Sequence, residues 1–329
     1  MTSSNLESKT IDVVVPLYNE EAVIEAFHRS LVQAIEGLPY RFRIYYVDDG
    51  SKDRTAEIVK RLSESDRRVF AVELSRNFGH QSALSAGLDL ANGEAVITLD
   101  GDGQHPPSLI PQMLSLFESG YDIVVMQRLD AKKTLPFKRW TSSGFYWIIN
   151  RLSSTPVTPG AADFRLMARS AVQSLRRMPE YHRFLRGMVT WMGFRSVIVP
   201  YEPVERLAGE SKYSLRKMIK LALDAIFSFS LTPLWIGLLT GGCFFGLAIL
   251  EVIYVLSFWL TKRQNLLVPG WSSLIFVILI VGGTIMINLG FIGVYVGYIF
   301  QEVKRRPVYL IRSITGTSAL DESRDKRQE

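Results

Sequence analysis

The chain has 329 residues, of which 47% are hydrophobic and 21% charged. That balance excludes a disordered chain or a long coiled coil, and the length predicts two units. The formal net charge of +6 suits nucleic acid, a membrane surface or an anionic substrate, and its distribution decides among these. The one cysteine, Cys243, rules out an intrachain disulfide, so nothing argues for an oxidising compartment. Residues 1–10 are polar and lack the basic-then-apolar pattern of an export signal, so the N-terminal region is expected in the cytoplasm.

Over the first 130 residues, short β-rich apolar runs at 11–15, 44–47, 69–74, 96–99 and 123–126 alternate with amphipathic stretches at 21–38, 55–62, 81–90 and 108–117. This rhythm predicts an α/β fold with a mostly parallel sheet covered by helices on both faces. Ligands of such sheets gather at the carboxyl ends of strands, which gives most weight to the residues just after each run. Further on, 142–152, 169–178 and 183–192 read as helices and 196–199 as a strand. Residues 211–230 place Arg216, Lys220 and Asp224 opposite Leu215, Ile219, Ala222 and Ile226, the pattern of an interfacial helix. Its cations Lys212, Arg216, Lys217 and Lys220 each contribute about 1 kcal/mol of attraction to an anionic leaflet.

No formal charge occurs in 225–250 or in 264–300, and about 20 apolar helical residues cross a bilayer core. Two spans are therefore predicted, at 233–260 and 274–300. The connecting loop holds Lys262 and Arg263, whereas the four cations just named precede the pair and Lys304, Arg305, Arg306 and Arg312 follow it. The positive-inside rule then puts both flanks in the cytoplasm. Because the basic residues cluster beside the spans and not on an independent face, nucleic acid is not an expected partner. The expected organisation is a catalytic domain over 1–210, an amphipathic juxtamembrane helix over 211–230, a two-helix transmembrane hairpin over 231–302 and a basic, polar cytoplasmic tail over 303–329.

The strongest chemical signal is the Asp100-Gly101-Asp102-Gly103-Gln104 segment directly after a predicted strand. Two carboxylates one residue apart at a strand end can reach one hard divalent cation, and such a cation would neutralise a diphosphate. An exposed acidic turn would have the same sequence, and His105 beside it reads as structural. A second acidic pair, Asp48 and Asp49, ends the second run, and the first run ends in Pro16-Leu17-Tyr18-Asn19-Glu20. Helix capping by Asp49 or Ser51 at Thr55, and by Asn19 at Glu21, explains some of these residues. Three acidic or amide clusters along one sheet edge also suit a nucleotide, with carboxylates accepting from base imide and ribose hydroxyls.

The motifs VVVPLYNEE, VDDGSKDRT, LDGDGQHPP, ADFRLMAR and RLAGESKYS, in this order, resemble family 2 glycosyltransferases with the GT-A fold, a Rossmann-like sheet domain. With two C-terminal spans the chain looks most like polyprenyl-phosphate glycosyltransferases of the bacterial bactoprenol glucosyltransferase type, and is similar to dolichol-phosphate mannose synthases. The resemblance implies that Pro16, Tyr18 and Glu20 line the nucleotide with Asp48, Asp49 and Asp100. It implies that Asp100, Asp102 and Gln104 hold Mg2+ or Mn2+ and the diphosphate, with Gly101 and Gly103 where relatives carry alanine and leucine, a departure expected to loosen the loop. Arg128, Arg139, Arg206, Ser211 and Lys212 match positions that bind the acceptor phosphate or the donor diphosphate.

Asp102 and Asp163 are the residues to which the resemblance gives catalytic roles, Asp163 at the position of a base. A lipid monophosphate is largely dianionic at neutral pH and needs little deprotonation, so orienting the sugar or pairing with Arg165 are the other readings of Asp163. The implied reaction is inverting transfer of a hexose, glucose from UDP-glucose by preference, to undecaprenyl phosphate at the bacterial plasma membrane. The implied partners are a nucleotide sugar, a polyprenyl phosphate, the membrane and further copies of the chain in a tetramer. A processive polysaccharide synthase is the rival enzyme, weakened by Pro136 at the glutamine position of the QxxRW motif; a catalytically silent membrane scaffold is the non-enzyme rival.

Overall fold

The computed structural model describes residues 9–129, 161–181, 183–202, 232–261 and 270–316. The chain divides into two units, one of residues 1–150, 155–218 and 307–329, the other of 151–154 and 219–306.

In the first unit, β1 (Thr10–Leu17) is buried throughout its apolar length, as expected of a strand covered on both faces. Its one charge, Asp12, is neutralised by a two-bond fork from Arg43 (2.7 and 2.8 Å) and by the N–H groups of Asn92 and Gly93. There follow α1 (Ile24–Ile35), β2 (Arg41–Asp48), α2 (Thr55–Ser65), β3 (Val69–Leu74), α3 (His80–Leu90), β4 (Ala95–Thr98), α4 (Ile110–Glu118) and β5 (Ile123–Arg128). In α1, Ile24, Phe27, Leu31 and Ile35 recur at helical spacing and are the residues it buries. Then come β6 (Ala161–Ala168), α5 (Arg169–Arg176), α6 (Leu185–Trp191), β7 (Ser196–Tyr201) and, after the second unit, β8 (Ile311–Thr315).

The strands form one eight-stranded sheet in the order β7-β5-β6-β4-β1-β2-β3-β8. Pairs β1–β2, β1–β4, β2–β3 and β5–β7 are parallel, whereas β6 runs antiparallel between β4 and β5, and β8 antiparallel to β3. The expected mostly parallel α/β sheet of GT-A type is thus present, with two antiparallel strands that periodicity alone did not predict. Strand order reverses between β1 and β4, which is where such a sheet opens a crevice at its carboxyl edge. Pro16 widens it. Carbonyls of alternate residues face opposite neighbours, Leu17 accepting from Asp49 and Val14 from Leu99, so Pro16 faces the β4 side, beyond the last β1–β4 register pair, with no N–H to place.

The second unit has α7 (Thr232–Leu260) and α8 (Trp271–Lys304). Within it Ile280–Lys304 is long and apolar enough to cross a membrane, with none of its apolar window buried, and Leu234–Leu247 is a shorter apolar stretch. One of the two predicted spans therefore meets that criterion among the described residues. The predicted helices at 142–152 and 211–230 lie outside the described residues. The tail expected from 303 onward begins instead with the α8 end and β8, where Ser313 and Arg312 bond Glu73 of β3.

Candidate active site

The loops after β1, β2 and β3 are joined to one another by hydrogen bonds. Asn19 donates its N–H to Ser51 Oγ (2.9 Å) and accepts from the Lys52 N–H (2.8 Å); Glu20 N–H donates to Thr55 Oγ1 (2.9 Å). Asn19 adopts a left-handed φ of +54° to do so. At the start of α2, Asp53 Oδ1 accepts from both the Thr55 N–H and Thr55 Oγ1, while Arg54 stands at the N-cap, so neither Asp49 nor Ser51 caps the helix as capping preference suggested. Asn19 likewise bridges two loops and caps nothing.

Both acids of the Asp48-Asp49 pair are buried and already engaged. Asp48 accepts from the hydroxyl and the N–H of Ser51, and Asp49 accepts from the N–H groups of Phe78 (2.7 Å) and Gly79 (2.9 Å). Burial raises both carboxyl pKa values above the ordinary aspartate range against the pull of these bonds. Gly50, directly after the pair, has φ +65°, and a Cβ there would lie 2.5 Å from the Arg76 carbonyl carbon, so only glycine lets the β2 loop pass the β3 loop. Each Asp49 oxygen thus accepts one N–H and fixes the turn at 76–79, a structural duty that its sequence assignment to the nucleotide did not include. Pro16, Tyr18, Glu20 and Asp48 do lie together on this edge, with Tyr18 and Glu20 partly exposed.

On the other side of the crevice, the loop after β4 carries Asp100 and Asp102, both partly exposed. His105 is buried, stacks on Phe164 with centroids 5.3 Å apart, and accepts the Asp100 N–H at Nδ1 (3.2 Å). That makes it the structural histidine the sequence suggested. Asp102 Oδ1 accepts the Gln104 N–H (3.0 Å) and tightens the loop. Gly101 is buried, and a Cβ there would press on the end of the Leu17 side chain, which would have to shift to admit alanine. Gln104, expected at the metal, instead turns its Oε1 to Arg128 Nη1 (2.6 Å); arginine only donates, so the amide oxygen must face it. Arg128 itself is exposed at the end of β5.

Asp163 on β6 is 2% exposed and sits in a cage of donors. Arg165 Nη2 is 2.5 Å from its Oδ1, and Arg186 Nη2 (2.9 Å), Gln81 Nε2 (3.3 Å) and His80 Nε2 (3.4 Å) face its Oδ2. Although burial would raise its pKa, Arg186, His80 and Arg165 together hold the carboxyl well below the usual range. Such a carboxylate is a poor proton acceptor at neutral pH, which turns the expectation of a base into that of a fixed anion. His80 Nε2 is also 3.4 Å from Asp100 Oδ1. Burial opposes its protonation, but the charges of Asp100 and Asp163 prevail and the imidazole is pushed up to about 9. His80, Gln81 and Arg186 are site residues that sequence reasoning missed; the segment Asn77-Phe78-Gly79-His80-Gln81 after β3 was the available signal.

Arg139, Arg206, Ser211 and Lys212 lie outside the described residues. For a divalent cation, the fit rests on Asp100: its Oδ1 is enclosed without a hydrogen bond, two residues from the partly exposed Asp102. Among the described residues no group of three or more His, Cys, Asp or Glu side chains is placed to hold a metal ion by itself. Two carboxylates completed by substrate phosphates are the usual holding of Mg2+, so the residues fit an ion that arrives with a diphosphate.

The chain has relatives among known proteins. The chain matches the family model "Glycosyl transferase family 2" over residues 12–176. It is 39% identical over 304 residues to the uncharacterized glycosyltransferase YkcC of Bacillus subtilis (strain 168), covering 92% of this chain and 94% of that protein. It is 36% identical over 307 residues to the prophage bactoprenol glucosyl transferase homolog of Escherichia coli (strain K12), covering 92% of this chain and 99% of that one. Among solved structures, Staphylococcus aureus TarS 1–349 with UDP-GlcNAc aligns at TM-score 0.44 and 18% identity, over 68% of each chain. The sheet, the loop and these relatives together make the chain a member of glycosyltransferase family 2.

Proposed function

We propose that this glycosyltransferase moves a hexose, with inversion, from a nucleotide sugar to a polyprenyl phosphate at a membrane surface, the preferred pair being UDP-glucose and undecaprenyl phosphate. The carrying observation is the meeting, at the β1/β4 crevice, of the Asp100–Asp102 carboxylates with the caged Asp163 and with the Gln104-anchored Arg128. The acceptor is supported by relatives named bactoprenol glucosyl transferase, such as that of Shigella phage SfV, 36% identical over 92% of this chain.

Within this reading, Asp48 and the loops at Pro16, Tyr18 and Glu20 hold the nucleoside end of the donor, and Asp49 keeps their wall in place. Arg128 meets a phosphate with one edge of its guanidinium while Gln104 fixes the other. Asp163 orients Arg186 and His80 at the sugar-transfer point and takes no proton, since the dianionic acceptor brings its own nucleophilic oxygen. Mg2+ or Mn2+ at Asp100 and Asp102 would offset the charge growing on the departing diphosphate. Arg139, Arg206, Ser211 and Lys212 are retained as phosphate-binding residues.

Connectivity supports a membrane hairpin as part of this reading. The chain leaves the sheet unit before Ile219 and rejoins it at Pro307, where β8 enters the same sheet. A chain that begins and ends on one side crosses a bilayer an even number of times, so a crossing by α8 requires another. Helix α7 supplies it, exposing Leu238, Leu239, Phe245 and Leu260, an apolar surface that water-soluble proteins avoid.

The test incubates the purified full chain in detergent with radiolabelled UDP-glucose, MnCl2 or MgCl2, and undecaprenyl phosphate. A lipid-linked glucose of inverted anomeric configuration is expected, and it should vanish when EDTA is added. Recovery of only free glucose, or of a polymer, would overturn the acceptor assignment.

A further inference from the structure

Tyr201 ends β7 directly opposite Arg128 in the β5–β7 register. Register partners on adjacent strands share a face, so the phenol projects on the side from which Arg128 reaches Gln104. Its ring packs edge-on against His105 (6.1 Å) and Phe164 (6.0 Å), and His105 is the residue that holds the Asp100 N–H. The side chain is only 5% exposed, yet its hydroxyl is enclosed with no hydrogen-bond partner. A phenylalanine would fill the same volume without stranding a polar group, so packing does not account for the oxygen.

The charges around it do. Burial pushes the phenol up to about 12, with Asp100 and Asp102 reinforcing that effect and Arg128 opposing it, so the hydroxyl keeps its proton and is a donor at neutral pH. The second enclosed and unbonded atom of this neighbourhood is Asp100 Oδ1. The phenol is thus a donor left without a partner beside an arginine, whereas the Asp100 oxygen already faces His80 Nε2 at 3.4 Å.

We propose that the Tyr201 hydroxyl donates a hydrogen bond to a substrate phosphoryl oxygen held between Arg128 and the Asp100–Asp102 loop. The inference rests on the glycosyl-transfer reading above and adds a phosphate-binding residue to it. The phosphoryl group belongs either to the donor diphosphate or to the lipid acceptor, and the two are separable by experiment.

The test compares the full-length wild type with Tyr201→Phe in detergent. UDP binding in MnCl2 is measured by calorimetry, the KM for undecaprenyl phosphate by transfer assay, and Tm by scanning fluorimetry. Loss of a bond to a charged oxygen weakens the affected ligand about tenfold or more. A drop in UDP affinity assigns the bond to the donor; a raised lipid KM with UDP affinity intact assigns it to the acceptor. In either case Tm holds or rises, because an unpartnered hydroxyl gives the free protein no stability. Equal UDP affinity and equal KM in the two proteins would overturn the contact while leaving the transfer reading intact, and a Tm lowered by several degrees would show a structural bond instead. A wild type that neither binds UDP nor uses the lipid would remove the transfer reading and this contact with it.

Discussion

The two walls of the crevice use the same residue types in opposite ways. On the β1–β2–β3 side, Asp48, Asp49 and Asp53 accept bonds from Ser51, Phe78, Gly79 and Thr55, all from adjacent turns. On the β4–β6 side, Asp100 and Asp163 face His80, Arg165 and Arg186, and an Asp100 oxygen stays unbonded. An acid bonded by the N–H groups and hydroxyls of neighbouring turns carries a structural duty, whatever ligand it also meets. An acid set against movable charged side chains, with lone pairs in reserve, can exchange those partners for a ligand. Acidity at a strand end is therefore a poor guide to function until the donors have been identified.

The widest separation between the walls should appear on removing a carboxylate whose structural duty is confined to one bond within its own loop. Asp102→Ala gives up only the bond to the Gln104 N–H. It is expected to cut kcat by about 10³-fold, the scale of losing electrostatic stabilisation of a leaving group, with Tm nearly unchanged. Near-normal turnover in MnCl2 would remove Asp102 from the reaction and leave the β4 wall with no more claim to chemistry than the β2 wall.

Asp163 sharpens the contrast because it belongs to both categories. Asp163→Asn leaves the buried Arg165 without its counter-charge, and breaking such a pair costs about 3–5 kcal/mol, read as a lower midpoint in urea. A residue acting only as a base would lose turnover at unchanged stability. The pH dependence follows from the depressed folded pKa. With the unfolded value near 3.9, the carboxylate's contribution is complete above that pH and disappears only as pH falls through the folded value below it. The stability gap between wild type and Asp163→Asn is therefore expected to be flat from about pH 6 to about pH 5, to close in stronger acid, and to narrow as pH rises toward 9, where His80 gives up the proton that Asp163 helps it hold. A gap that closes near neutrality would show that the cage does not hold Asp163 ionised.

The walls also differed in how readable they were. Strands β1 to β5 and the helices between them carry apolar periodicity strong enough to locate from sequence, and the acidic strand ends mark the crevice. Strand β6 was hidden because Asp163 and Arg165 interrupt its apolar run, and those charges are tolerable only because they pair with each other, a fact of the folded state. Strand β8 was hidden for a similar reason: Arg312 and Ser313 look like tail residues until Glu73, far away in the chain, comes alongside. Arg186 carries no local pattern, and His80 and Gln81 are marked only by their place just after β3; the fold brings all three to Asp163. Gln104 and Arg128 were each legible as site residues, but their mutual bond was not. Asp49 was assigned to ligand because nothing in its neighbours' identities reveals that two N–H groups some thirty residues later claim its oxygens.

Asp49 gives the smallest effect and the most direct check on the scaffold reading. Asn at this position keeps the shape and one carbonyl acceptor, but places an NH2 group against one of the two N–H donors of Phe78 and Gly79. Losing one charge-assisted bond and opposing two donors is expected to cost about 1–3 kcal/mol of stability. The disturbance should run along the turn to Gly79, the residue that precedes α3, and so reach His80 and Gln81 at its start. UDP affinity should then fall only modestly, in proportion to the loosened turn, and stabilising the fold with an osmolyte should recover most of it. If Asp49 instead met the nucleotide directly, affinity would fall without any loss of stability and no osmolyte would restore it. Measuring the two quantities on one preparation therefore determines whether this acid belongs to the wall or to the ligand.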